Sequence, residues 1–232
     1  MKAAVVIATY NERENLPELV EEILRNPGYR VIVVDDNSPD GTGAIADDLA
    51  AKCPGRVSVI HRTGQRGLGR SLLAGLKQAL SDGDEIVFQM DADFSHDPEY
   101  LPAMAAATVD ADLVLGSRYL QGVSVVNWPL HRIVLSTVAN RYIRWVTGLE
   151  ANDCTTGYRC WRHAALARMP FDNVISEGYA FLVETLHLAS RAGCRISEVP
   201  IIFVERRQGA SKVSARVLLE SLIVPWRLRL KP

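Results

Sequence analysis

The feature that most constrains this chain is an alternation of short apolar runs with helical periods. The runs fall at 3–8 (AAVVIA), 30–34 (RVIVV), 57–60 (VSVI), 85–90 (EIVFQM) and 112–116 (DLVLG). They are rich in β-branched residues and nearly continuous in apolar character, the pattern of strands buried on both faces. Between them, apolar residues recur at helical spacing. Leu16, Leu19, Val20, Ile23 and Leu24 share one face over 13–25, and Leu68, Leu72, Leu76, Ala79 and Leu80 share another over 67–81; residues 41–52 behave similarly. Turn residues separate the periods, with Asn37-Ser38-Pro39-Asp40-Gly41 after the second run and Asp97-Pro98 opening a further helix. Strands alternating with helices predict βαβ units, hence an α/β domain with a mostly parallel, Rossmann-like central sheet flanked by helices.

After residue 117 the rhythm changes. Helices are expected over 129–147, 177–192 and 214–224, the last ending near Pro225. A polar segment covers 152–159, and a strand-like run over 196–204 leads into a basic loop. At 232 residues the chain fits one domain. Its 26 basic and 27 acidic side chains argue against a nucleic-acid binder, which usually carries a basic excess. That balance hides a split: residues 1–100 carry 10 basic and 17 acidic side chains, and residues 101–232 carry 16 and 10. Such asymmetry suggests a differently charged partner for each half, or chance clustering. Cys53, Cys154, Cys160 and Cys194 form no C-x-x-C pair. Scattered thiols without an export signal fit a reducing cytoplasm. No apolar run approaches the ~18 residues needed to span a bilayer, so any membrane contact is expected to be peripheral.

In open α/β sheets ligands bind beyond the carboxyl ends of the strands. Three polar clusters fall there: Thr9-Tyr10-Asn11-Glu12, Asp35-Asp36-Asn37-Ser38 and Asp91-Ala92-Asp93. Two carboxylates at i and i+2 after a strand can share a divalent cation, and with phosphate oxygens they suit Mg²⁺ or Mn²⁺. A bare D-x-D also serves as a turn with solvated carboxylates, and Asp35-Asp36 can serve as a helix cap.

The order TYNE, VVDDNSPDG, MDADFSHDP at successive strand ends resembles the family 2 glycosyltransferases of GT-A fold. More narrowly, the chain is similar to the dolichyl-phosphate (polyprenol-monophosphate) mannosyltransferases. That resemblance continues through Gly116-Ser117-Arg118-Tyr119, Asn127-Trp128-Pro129-Leu130-His131-Arg132 with Ser136, and Asp153-Cys154-Thr155-Thr156-Gly157-Tyr158-Arg159. It ends on Phe203-Val204-Glu205-Arg206-Arg207-Gln208-Gly209-Ala210-Ser211-Lys212. It implies a GT-A domain over 1–213 and inverting transfer of mannose from GDP-mannose to a polyprenyl or dolichyl monophosphate. It also implies that Asp91 and Asp93 hold Mg²⁺ or Mn²⁺, with Ser95 assisting where the family often has Gln. Ala8 (usually Pro in the family), Tyr10, Glu12 and Asp36 or Asp35 are implied at the guanine and ribose end. Arg118, Arg132, Ser136, Arg206 and Lys212 are implied at the acceptor phosphate.

The residue chemistry suits these roles. A phosphate monoester with a second pKa near ~6 needs positioning rather than a strong base, and the arginine fork matches its oxygens. Arg132 and Ser136, at i and i+4, share a helix face. Gly67-Leu68-Gly69 offers either backbone N–H groups to a diphosphate or close helix packing. Gly209 suggests that 206–212 forms a lid; an ordinary exposed basic loop reads the same way. The tail 214–232 combines Val217, Leu218, Leu219, Leu222, Ile223, Val224 and Trp226 with Arg227, Arg229 and Lys231. It fits either an interfacial amphipathic helix or a core-packed terminal one, and with 129–147 it would form a groove for the lipid. A separate anchoring partner protein is compatible with this. The competing expectations are a polyprenyl-phosphate glucosyltransferase using UDP-glucose and a non-catalytic sugar-nucleotide-binding subunit.

Overall fold

A computed structural model describes residues 2–174, 176, 178–205 and 215–230. Its first half alternates β1 (Ala3–Thr9), α1 (Leu16–Leu24), β2 (Tyr29–Asp35), α2 (Thr42–Lys52), β3 (Val57–His61), α3 (Leu68–Ser81) and β4 (Ile86–Met90). There follow α4 (Leu101–Ala107), β5 (Leu113–Ser117), β6 (Val125–Val126), α5 (Leu130–Thr147), β7 (Arg159–Arg162) and α6 (His163–Leu166). The chain continues through α7 (Gly178–Arg191), β8 (Ile196–Pro200), β9 (Phe203–Val204) and α8 (Ala215–Leu230). The main sheet runs β3-β2-β1-β4-β7-β5-β8, and all its pairings are parallel except those of β7.

Period-two alternation divides the core between the sheet faces. Val6, Val34 and Val87 face Leu72, Leu76 and Phe181 on one side. Val5, Ile7, Val33 and Phe88 face Leu16, Leu19, Ile23 and Leu101 on the other. The predicted stripes of α1 and α3 are therefore the buried ones, with Leu24, Leu68 and Leu80 at their margins. Helix α3 lies so close to β1 that a Cβ at Gly75 would sit 2.3 Å from Val6 Cγ1.

Strand β7 is the main departure from the sequence expectation. Residues 159–162 complete the polar segment yet insert between β4 and β5, sending Trp161 to one core and Cys160 to the other. Because β7 is antiparallel, its entry lies at the same edge as the exits of β1, β2, β4 and β5. That reversal delivers residues 152–158 to the edge where the strand-end clusters gather.

Two other expectations change. The run 196–204 divides into β8 in the main sheet and β9, which pairs with β6 as a small separate sheet. Helix α8 does not stop at Pro225 but continues to Leu230. Buried Val224 and Leu228 hold it, as do Tyr142 Oη donating to Leu222 O (2.7 Å) and Arg229 Nη1 donating to Val146 O (2.7 Å). Tertiary contacts thus offset the backbone bond that proline removes. Among the described residues no helix is long and apolar enough to cross a membrane.

Candidate active site

A cleft of about 220 Å³ opens at the strand-exit edge, lined by Asp91, Asp93, Ser95, Arg118, Arg132 and Ser136 among others. The left-handed non-glycine residues among the described ones lie on the loops after β1, β2, β4 and β6: Asn11, Asn37, Phe94 and Asn127. Asparagine tolerates this conformation; phenylalanine rarely does. Phe94, at φ 61, lets the chain fold back so that Ser95 donates to Asp93 Oδ1 from both its N–H (3.1 Å) and its hydroxyl (2.6 Å). Local strain there serves to fix a carboxylate.

Asp91 presents a side chain 43% exposed toward the cleft. Its backbone N–H donates to His96 Nδ1 (3.0 Å), which makes His96 a neutral imidazole with its proton on Nε2. Burial pushes the pKa of His96 down in agreement, against the opposing pull of Asp91 and Asp93. The ring stacks on Tyr158, with centroids 4.9 Å apart. Opposite Asp91 lies Gly157, where a Cβ would come within 3.4 Å of Asp91 Oδ1 and 3.5 Å of His96 Cε1. The missing side chain leaves a cradle beside the carboxylate. Among the described residues no group of three or more His, Cys, Asp or Glu assembles a complete metal cage. Asp91 and Asp93, which both line the cleft, instead fit a cation whose remaining ligands come from a diphosphate and water.

The cationic wall is built differently. Arg118 is buried and donates through Nε to Asp153 Oδ2 (2.7 Å) and through Nη2 to Asp153 Oδ1 (2.7 Å) and Thr155 Oγ1 (2.8 Å). Burial disfavours both charges, but their mutual attraction outweighs it, raising the pKa of Arg118 and lowering that of Asp153. The rings of Tyr119, Trp128 and Phe203 surround this guanidinium at 5.4–5.6 Å. Arg132 lies 4.0 Å above the Trp128 ring and pairs through Nη1 with Glu205 Oε2. Ser136 accepts a hydrogen bond from Tyr119 Oη (2.7 Å). Arg206 and Lys212, with the rest of the expected lid, lie outside the described residues.

On the remaining side, Asp35 accepts from Thr9 Oγ1 (3.1 Å), Ser38 Oγ (2.6 Å) and Ser38 N (3.1 Å), joining the exits of β1 and β2. Asp36 takes the Gly67 N–H on Oδ2 (2.8 Å) and pairs with Arg62 on Oδ1. Gly67 thus directs its N–H to Asp36, while Gly69 packs against Phe181, where a Cβ would come within 2.8 Å. Tyr10 Oη receives Arg66 Nη1, and Glu12 Oε2 receives Asn15 Nδ2 (2.9 Å). Ala8 is half-buried near the end of β1 and contacts the core.

Residue-type reasoning gave no roles to Asp153, Glu205 or Arg159. Arg159 is completely buried and donates to Thr156 O (3.0 Å), Leu182 O (2.7 Å) and Thr185 Oγ1 (2.9 Å). Burial lowers its pKa to about 10, so it remains charged near neutrality. It fastens the Thr156–Gly157 turn to α7 beneath Asp91. Cys154 and Cys160 are not nucleophiles: burial pushes the Cys154 thiol up to about 12 and Cys160 well above its ordinary value.

The sequence profile of Glycosyl transferase family 2 matches residues 4–174. Polyprenol monophosphomannose synthase from Mycolicibacterium smegmatis is 44% identical over 232 residues, covering 98% of this chain and 88% of that protein. Undecaprenyl-phosphate mannosyltransferase from Micrococcus luteus is 44% identical over 225 residues, covering 96% and 92%. Dolichol-phosphate mannosyltransferase from Pyrococcus furiosus is 34% identical and covers 98% and 64%. The fold is similar to glucosyl-3-phosphoglycerate synthase from Mycobacterium tuberculosis, solved with Mn²⁺, UDP and phosphoglyceric acid (TM-score 0.71, 16% identity, 100% of this chain and 79% of that one). At that identity the likeness speaks for the GT-A fold alone. Matched over most of its length by the family profile and nearly end to end by bacterial relatives, the chain is a glycosyltransferase belonging to glycosyl transferase family 2.

Proposed function

We propose that the chain transfers mannose from GDP-mannose to a polyprenyl (dolichyl-type) monophosphate, with inversion at the anomeric carbon. The observation that carries this reading is one cleft lined both by Asp91 and Asp93 and by Arg118, Arg132 and Ser136. The names of the 44%-identical relatives support the sugar and the acceptor class. In the proposed reaction an acceptor phosphate oxygen forms a bond to C1 as the bond from C1 to the diphosphate breaks, and GDP departs with the electron pair. The arginine wall orients the incoming phosphate, and no protein base is required because the phosphate is largely ionised. Asp91 and Asp93 would hold Mg²⁺ or Mn²⁺, which supplies charge neutralisation for the leaving diphosphate. The family resemblance supports Asp36, Asp35, Tyr10, Glu12 and Ala8 for the nucleoside, although none of them is among the residues lining the cleft.

The acceptor's chain stays in a bilayer, so the proposal includes peripheral contact with the cytoplasmic face of a membrane. Leu130, Val134, Val138 and Trp145 form an exposed apolar stripe on α5, and Leu222, Ile223, Trp226 and Leu230 extend it on α8. Trp145 and Trp226 meet edge to face, with centroids 6.0 Å apart. Aromatic and aliphatic side chains beside Arg141, Arg227 and Arg229 suit an anionic interface. Donor competition tests the core of the proposal. With a polyprenyl phosphate acceptor, label is expected to move from GDP-mannose and not from UDP-glucose; the reverse preference would replace mannose by glucose.

A further inference from the structure

We infer that Glu205 is a placeholder carboxylate, occupying on Arg132 the position that the acceptor phosphate takes when it binds. The inference rests on the reading of the cleft as a prenyl-phosphate site, and it concerns a residue that the catalytic chemistry leaves without a role.

Both cleft arginines carry a carboxylate partner, and the two partners differ in depth. The Asp153 side chain is 0% exposed and, besides both contacts from the Arg118 side chain, accepts from Arg118 N (3.1 Å) and Thr155 Oγ1 (3.2 Å). Pulling it away would strand a buried charge, which is strongly unfavourable. Arg132 and Glu205 are 23% and 27% exposed at their side chains, so water can receive the Glu205 carboxylate when it leaves. The two pairs therefore divide the work: Arg118 is fixed in place, and Arg132 is exchangeable.

The Arg132 guanidinium carbon lies 4.0 Å over the Trp128 ring, and Glu205 takes its Nη1 donor. Glu205 is held there by its backbone, its N–H donating to Val126 O (3.2 Å) where β9 meets β6. Trp128 is in turn edge to face with Phe203 of β9 (5.3 Å). A phosphate monoester offers the same planar fork the same geometry with more negative charge, and carboxylate and phosphate repel one another if both stay. Glu205 thus keeps Arg132 extended over Trp128 in the absence of acceptor and sets a threshold for its binding. This makes it a positioning residue.

The test measures binding of farnesyl phosphate by calorimetry, without any sugar nucleotide, to the wild type, Glu205→Gln, Arg132→Gln and the double variant. Glu205→Gln is expected to bind about two- to fivefold more tightly, the range for a solvent-accessible ion pair. The gain is expected to vanish in the double variant, which should bind like Arg132→Gln. In turnover assays Glu205→Gln should lower the acceptor KM and leave kcat within about a factor of two, because only ground-state competition is removed. Unchanged or weaker binding by Glu205→Gln, while the wild type binds normally, would overturn the placeholder role and leave the acceptor reading standing. A gain that survives loss of Arg132 would overturn it too. No binding by any of the four proteins would remove the acceptor reading and the placeholder with it.

Discussion

The two walls of the cleft solve opposite electrostatic problems. On the β1–β4 side the carboxylates of Asp35 and Asp93 are held by hydroxyl and backbone N–H donors: Thr9, Ser38 and Ser95. Such donors fix the direction in which a carboxylate points. Asp36 is paired with Arg62. On the β5–α5 side the arginines are held by Asp153 and Glu205 and by aromatic faces. That wall is already neutralised, and an incoming dianion binds by exchange. The charge split between residues 1–100 and 101–232 therefore overstates the local field at the acceptor wall.

Substitutions can break this contrast. The largest effect is expected at the carboxylates proposed to hold the cation: Asp93→Ala should reduce mannosyl transfer by about a thousandfold or more, as should EDTA, in a radiolabel assay. Next is the buried pair. Asp153→Asn leaves Arg118 without its counter-charge, so a loss of about 3–5 kcal/mol is expected, read as a fall in Tm of roughly 10 °C or more. The same pair sets an acid dependence. The Asp153 carboxyl is held below its ordinary range, although burial alone would raise it; Arg118 reverses the sign. Its stabilisation is complete above the ordinary carboxylate pKa and lost as pH falls through the depressed one, so Asp153→Asn should flatten part of the acid-unfolding slope.

Smaller effects probe what surrounds the walls. Combining Leu130→Ser, Val134→Ser and Trp145→Ser is expected to weaken sedimentation with anionic vesicles by about tenfold or more. Tm should not change, because these side chains are exposed. Gly75→Ala drives a methyl group into Val6 under the donor wall. A cost of about 1–3 kcal/mol in chemical denaturation is expected, with the KM of both substrates unchanged.

The two walls also differ in how far the sequence reveals them. The donor wall sits where apolar runs end and carboxylates begin, so strand ends at β1, β2 and β4 mark it locally. The acceptor arginines are recognisable through their motifs, but their partners are not. Arg118 meets Asp153 across 35 residues, and Arg132 meets Glu205 across 73. Nothing in spacing announces such pairs; they exist because antiparallel β7 reverses the chain at the site edge and β9 pairs with β6. Strand β7 itself was hidden because four residues bounded by arginines carry too short an alternation to register as a strand. Pro225 marks a helix end by local rules, and tertiary contacts of α8, through buried Val224 and Leu228 and with Tyr142 and Val146, carry the helix past it.

The most direct test of the cleft's proposed division of labour varies the acceptor alone. Purified protein, GDP-[¹⁴C]mannose and Mg²⁺ are incubated with a short polyprenyl phosphate or with the corresponding polyprenol, which lacks the phosphate. Transfer to the phosphate and none to the alcohol is the result expected of a wall built from Arg118 and Arg132. Comparable transfer to both acceptors would contradict the assignment of that wall to a phosphate.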